Sequence, residues 1–139
     1  MVTCGGSGIG AACAERLAAA GAAVLVLDRD RTAAERVATA VGGEPLVVDL
    51  AEPQAVLALC AADGPAGHVD VLVNNAGLQH VAPVEDFPPE RFALILRVML
   101  QAPFELARAV LPHMYARGWG RLVHISSVHG LRASPHKAA

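Results

Sequence analysis

Aromatic residues make up only 4% of the 139 positions and charged residues 17%, yet 54% are hydrophobic. An interior must then be built from Ala, Val and Leu, and the composition suits a folded globule, not a disordered tail. There is no basic run and the net charge is -2, which excludes the electrostatic footprint of a nucleic-acid binder. Charge or glycine interrupts every apolar stretch before membrane-spanning length, so no membrane partner is expected. The opening Met1-Val2-Thr3-Cys4-Gly5 lacks the basic-then-apolar order of a secretory leader. The three cysteines, Cys4, Cys13 and Cys60, are odd in number and far apart, which suits neither a disulfide framework nor a zinc site. No metal is expected, and a reducing cytoplasm is the simplest home. With no linker, repeat or charge block, residues 1-139 read as one domain.

What the chain does have is alternation. Ala23–Asp28, Leu46–Asp49, Val69–Val73 and Arg121–Ile125 are short, near-continuous apolar runs, as expected for parallel strands covered on both faces. Helical stretches lie between them. Ile9–Ala20 ends at Gly21. Thr32 is a plausible N-cap for a helix closed by Gly42-Gly43. Pro53 suits the first turn of a helix through Ala61. A long helix runs from Pro89 towards Arg117, with a kink or break expected at Pro103 and Pro112. The pattern predicts an α/β fold, a Rossmann-type doubly wound parallel sheet truncated after the fifth strand. Only Met1-Val2-Thr3 precedes the glycine loop, so the front edge reads as clipped as well.

That loop, Thr3-Cys4-Gly5-Gly6-Ser7-Gly8-Ile9-Gly10, joins a strand stub to a helix. Its glycines allow a tight turn and a close approach to a pyrophosphate, and the helix start offers free N–H groups. Asp28 ends the next strand, 18 residues after Gly10. A carboxylate there can accept both ribose hydroxyls of NAD and repels the 2′-phosphate of NADP. The neighbouring Arg29 can soften that preference. The plainer reading of Asp28 is a strand-end turn residue.

The loop spacing resembles the Thr-Gly-x-x-x-Gly-x-Gly of short-chain dehydrogenases. Asn74-Asn75-Ala76-Gly77 resembles that family's Asn-Asn-Ala-Gly motif, and Ser126-Ser127 follows a fifth strand like its catalytic serine segment. The resemblance implies that Thr3, Gly5, Gly6, Ser7, Gly8, Ile9, Gly10, Asp28, Asn75, Ala76 and Gly77 bind the cofactor, NAD. It places Asp49 and Leu50 at the adenine ring. Leu78–Val84, Trp119-Gly120-Arg121, Ser127–Leu131 and Ala133-Ser134 narrow the likeness to D-3-hydroxybutyrate dehydrogenases, enzymes of ketone-body metabolism. That likeness implies Ser127 as a catalytic residue that orients the substrate oxygen. It implies Gln79, His129 and Lys137 as the holders of the carboxylate of a small hydroxy or keto acid. Taken alone, each of those three reads as a solvated loop or surface residue.

The family's general acid/base is a tyrosine thirteen residues past the serine, which counted from Ser127 falls one position beyond Ala139. Tyr115 lies upstream in the long helix, no Tyr-x-x-x-Lys is present, and the 139-residue chain is expected to lack turnover. Two departures stand out. Cys4 replaces the first motif glycine, where its Cβ crowds the turn. It is either a reactive thiol at a helix start or an incidental small residue. Met99 stands where many members carry a relay asparagine. His124 reads as a structural strand residue. The long helix resembles the element that pairs subunits in tetrameric members, which implies a homo-oligomer. The alternatives are a 3-oxoacyl reductase of the same family and a non-catalytic nucleotide-binding fragment.

Overall fold

The structure, a computed structural model, describes residues 1–137. Five parallel strands form one sheet in the order β3-β2-β1-β4-β5. They are β1 (Val2–Thr3), β2 (Leu25–Asp28), β3 (Glu44–Val47), β4 (Val71–Asn74) and β5 (Arg121–His124). Helices α1 (Gly8–Ala19), α2 (Arg31–Val41), α3 (Pro53–Leu59), α4 (Pro89–Leu96) and α5 (Ala102–Arg117) connect them. Among the described residues no helix is long and apolar enough to cross a membrane. This is the doubly wound α/β sheet that the alternation predicts.

Strand alternation sends successive side chains to two separate cores. Leu27 and Leu72 enter a cluster with Val56 and Leu59 of α3 and Leu106, Val110 and Met114 of α5. Val26 and Val73 enter a cluster with Ala14 of α1 and Val37 and Ala38 of α2. Both faces of the central strands are thus dry, which is why they read as continuous apolar runs. β5 is an edge strand and all four of its residues are exposed.

Several boundaries differ from expectation. β3 begins two residues earlier, because Glu44 N–H donates to Val24 O and sets the register. Pro45 is tolerated because β3 is an edge strand. The N-cap of α2 is Asp30, not Thr32: its side chain accepts from Ala33 N–H at 3.0 Å. Gly42 closes that helix in the left-handed conformation, φ 63°. The long helix is interrupted at neither proline itself. A π-turn at Arg97–Gln101 joins α4 to α5, with Ala102 N–H donating to Arg97 O. Pro103 follows directly and has no N–H for the carbonyl four residues back, so the ladder widens just before it. α5 continues through Pro112 without a break.

Candidate functional site

All five strands point their carboxyl ends the same way, and the loops leaving those ends form a crevice. A cleft of about 320 Å³ lies there, lined by Cys4, Asp28, Arg29, Asp49, Leu50, Ala76, Gly77 and Gln79. Leu50 also belongs to the core, so it forms the cleft floor.

The glycine loop is fixed mainly from behind. Thr3 is buried; its hydroxyl accepts from Asn75 N–H (2.9 Å) and Ala76 N–H (3.0 Å). The Asn75 side-chain amide donates to Thr3 O (3.1 Å) and Cys4 O (3.2 Å). Thr3 and Asn75 were expected to bind cofactor. In the structure they tie β1 to the β4 loop, because the sheet order makes these two strands neighbours. Gly5 is equally enclosed: a Cβ there would meet Val2 O at 3.0 Å. A Cβ on Gly6 would meet Ala33 Cβ at 2.7 Å, and one on Gly10 would collide with Cys4 O. At these three glycines the requirement is internal packing. Gly8 differs, with φ +52° and open space where a Cβ would go. Ser7, Gly8 and Ile9 are exposed, and the Ser7 side chain makes no cap bond, so the first N–H groups of α1 face outward without a side-chain acceptor. That end of the helix suits a diphosphate.

Cys4 adopts φ +51°, the left-handed region that costs a residue with a Cβ. Burial first, and then the Asp28 carboxylate, push its thiol above the usual value. A thiol so held is a poor nucleophile at neutral pH, which favours the incidental reading.

Asp28 is 7% exposed. Its Oδ2 accepts from Gly6 N–H and its Oδ1 from Asp30 N–H, each at 3.0 Å. The second bond is an Asx turn, the plainer strand-end reading of this residue. Each carboxylate oxygen keeps a further lone pair for a ribose hydroxyl. Sequence reasoning missed Arg36, whose guanidinium donates to Gly6 O at 2.7 Å from α2. Its helical position gave no local signal. Arg91, Leu94 and Val98, on the far wall of the cleft, were missed for the same reason.

Beyond β5 the expected substrate residues come together in part. His129 N–H donates to Ser127 Oγ at 3.2 Å. Lys137 Nζ lies 2.7 Å from His129 Nε2, and His129 Nδ1 lies 3.1 Å from Ser134 Oγ. An ammonium has only donors, so Nε2 accepts and the ring proton sits on Nδ1. His129 therefore holds Lys137 and has no second N–H left for a carboxylate. Gln79 lines the same cleft as Asp28 and Asp49, whereas Lys137 lines a different hollow with Ala82, Pro83, Glu85 and Ser134. The structure does not bring Gln79 and Lys137 into one cavity. His124 pairs with Asn74 on the adjacent strand (Nδ1 to Nδ2, 3.4 Å), the structural role expected. Tyr115 is 73% exposed near the end of α5, shortly before β5 starts, at the opposite end of the sheet from the cleft. Among the described residues no group of three or more His, Cys, Asp or Glu could hold a metal ion.

The chain matches the family model described as short chain dehydrogenase over residues 1–139. It is 39% identical to a D-beta-hydroxybutyrate dehydrogenase of Cupriavidus necator, covering 100% of this chain and 56% of the relative. It is 40% identical to the enzyme so named in Rhizobium meliloti, covering 100% and 57%. A metagenomic short-chain oxidoreductase solved in complex with NADP superposes with TM-score 0.89 at 35% identity, covering 99% of this chain and 65% of that one. The chain thus spans little more than half the length of the curated relatives it matches.

Proposed function

The chain belongs to the short-chain dehydrogenase family, and from that premise we propose that the whole protein is an NAD-dependent D-3-hydroxybutyrate dehydrogenase that interconverts D-3-hydroxybutyrate and acetoacetate. The observation that carries the reading is the cleft at the strand ends, with Asp28 in its wall, together with the uncapped start of α1 that follows the glycine loop. NAD, when bound, takes up or returns the hydride. Gly8 and the first turn of α1 would hold the diphosphate, Asp28 would accept from the adenosine ribose, and Asp49 and Leu50 would border the base. The negative charge of Asp28 disfavours a 2′-phosphate, against a weaker pull from Arg29. Ser127 orients the substrate oxygen with its own hydroxyl proton, since its Oγ lone pair is directed by His129 N–H. Lys137 supplies the point charge for the substrate carboxylate, and Gln79 a directional amide.

The separation of Gln79 from Lys137 favours a second reading, a 3-oxoacyl reductase, whose substrate has no free carboxylate to be gripped from both sides. Lys137→Ala in the whole protein distinguishes them. For the dehydrogenase, KM for D-3-hydroxybutyrate rises about one to two decades, the worth of a charge-assisted contact. Turnover of an uncharged alcohol barely changes. Equal loss on both substrates rules out carboxylate binding by Lys137. We further propose a homo-oligomer, a tetramer, joined through α4 and α5. Phe92, Leu96, Leu100 and Phe104 form an exposed apolar stripe at four-residue spacing along that element, which supports this.

A further inference from the structure

We propose that Met99 is a positioning residue for the bound nucleotide, its thioether sulfur fixing the cleft wall formed by Ala76–Gln79. The proposal rests on the cleft being the nucleotide site. The Leu78 N–H donates to Met99 Sδ at 3.5 Å. A Cβ placed on Gly77 would lie 3.7 Å from the Met99 methyl, so the same side chain also rests against Gly77.

The wall has few other supports. At its start, Asn75 and Ala76 are held by the Thr3 hydroxyl. At its far end, Ala82 N–H donates to His136 O. Among the described residues, no other hydrogen bond reaches the backbone of Gly77–Val81. Among the described residues, the sulfur is therefore the single polar tie at mid-span. Ala76, Gly77, Leu78 and Gln79 all line the cleft, and Leu94 and Val98 of the facing helix close it from the other side. The tie thus sets the distance between two walls.

The π-turn presents this side chain. Met99 is its central residue, in a loosened stretch of helix where the backbone ladder is already disrupted ahead of Pro103. It is 46% exposed, so it is not there to fill the core. A thioether is an acceptor only, on an unbranched side chain with adaptable rotamers. It can follow the loop, but it has no proton to pass on. Position 99 in this chain serves geometry, with no part in proton transfer.

The test is amide hydrogen exchange at Leu78, with NAD titration, in the 139-residue chain and two variants. Met99→Leu keeps the size and removes the acceptor. Leu78 exchange should quicken about fivefold, the scale of one modest hydrogen bond, while the β4 amides stay protected. The Kd for NAD should rise about threefold, as a wall ordered by the tie becomes mobile. Met99→Gln restores an acceptor at similar reach and should bring both values back to within about twofold of the original. Unchanged Leu78 exchange in Met99→Leu overturns the proposal, and so does faster exchange with an unaltered Kd. A wild-type chain that binds no NAD at millimolar concentration refutes the cofactor reading instead, and Leu78 exchange then decides the tie by itself.

Discussion

The two sides of the candidate site are built on different principles. Around the start of the glycine loop, side chains of neighbouring elements hold the backbone of Thr3, Cys4 and Gly6. Thr3 and Asn75 cross from β1 to β4, Asp28 holds Gly6 from β2, and Arg36 reaches the same residue from α2. Beyond β5, Ser127, His129, Ser134 and Lys137 hold mainly one another, on a surface where most residues are exposed. The glycine-loop side is held through contacts shared with the sheet. The side beyond β5 is a local network with few ties to the sheet. Stability should therefore be concentrated in the first region and nearly absent from the second.

The largest effect is expected at Gly10. An added methyl would meet the Cys4 carbonyl and come within 2.7 Å of Asn75 Nδ2, pushing α1 away from β1. Gly10→Ala should cost about 3 kcal/mol, the upper end of overpacking costs, read as a fall in the urea midpoint. A neutral outcome would show that the loop is not braced from behind. Cys4→Gly tests the same region with the opposite sign. Relief of the left-handed Cβ, worth about 1–2 kcal/mol, exceeds the extra chain entropy of glycine, about 0.5–1 kcal/mol. A net gain of about 0.5–1 kcal/mol should raise the midpoint. A destabilised variant would mean that the Cys4 side chain contributes packing that outweighs its strain. The smallest effect belongs to the other region. His129→Ala removes the partner of Lys137, yet stability should shift by no more than about 0.5 kcal/mol, as for exposed sites. A loss of about 2 kcal/mol, the mark of a structural element, would erase the distinction between the two sides.

Much of the fold was legible. Val26 and Leu27 diverge into two cores, so β2 had to be apolar up to Asp28, and that is what a one-dimensional pattern displays. Boundaries were less legible. Asp30 outcompetes Thr32 as the cap of α2 because its carboxylate reaches Ala33 N–H. Two capping residue types two positions apart give the same sequence signal. Pro103 was readable as a disturbance, but the pattern did not show that the ladder absorbs it as a π-turn just before the proline. The cleft lining was legible in part: Asp28, Asp49, Leu50, Ala76, Gly77 and Gln79 border it as named from the sequence, whereas Arg91, Leu94 and Val98 were not foreseen. Thr3 and Asn75 stood out correctly as motif positions. Their hydroxyl and amide turn inward, because the strand order sets residues some 72 positions apart side by side.

The sequence by itself determined the alternation of strand and helix, the glycine turn at a helix start and the carboxylate that follows it on β2. Each is a consequence of local chemistry: periodicity, backbone freedom and residue type. Tertiary structure alone decided that Asp28 is both a turn and a wall, that His129 accepts from Lys137, and that Met99 meets Leu78. Those facts depend on which strands become neighbours and how far a helix is displaced. A hydrogen bond is settled by differences of under an ångström in position, and no spacing along the chain encodes them.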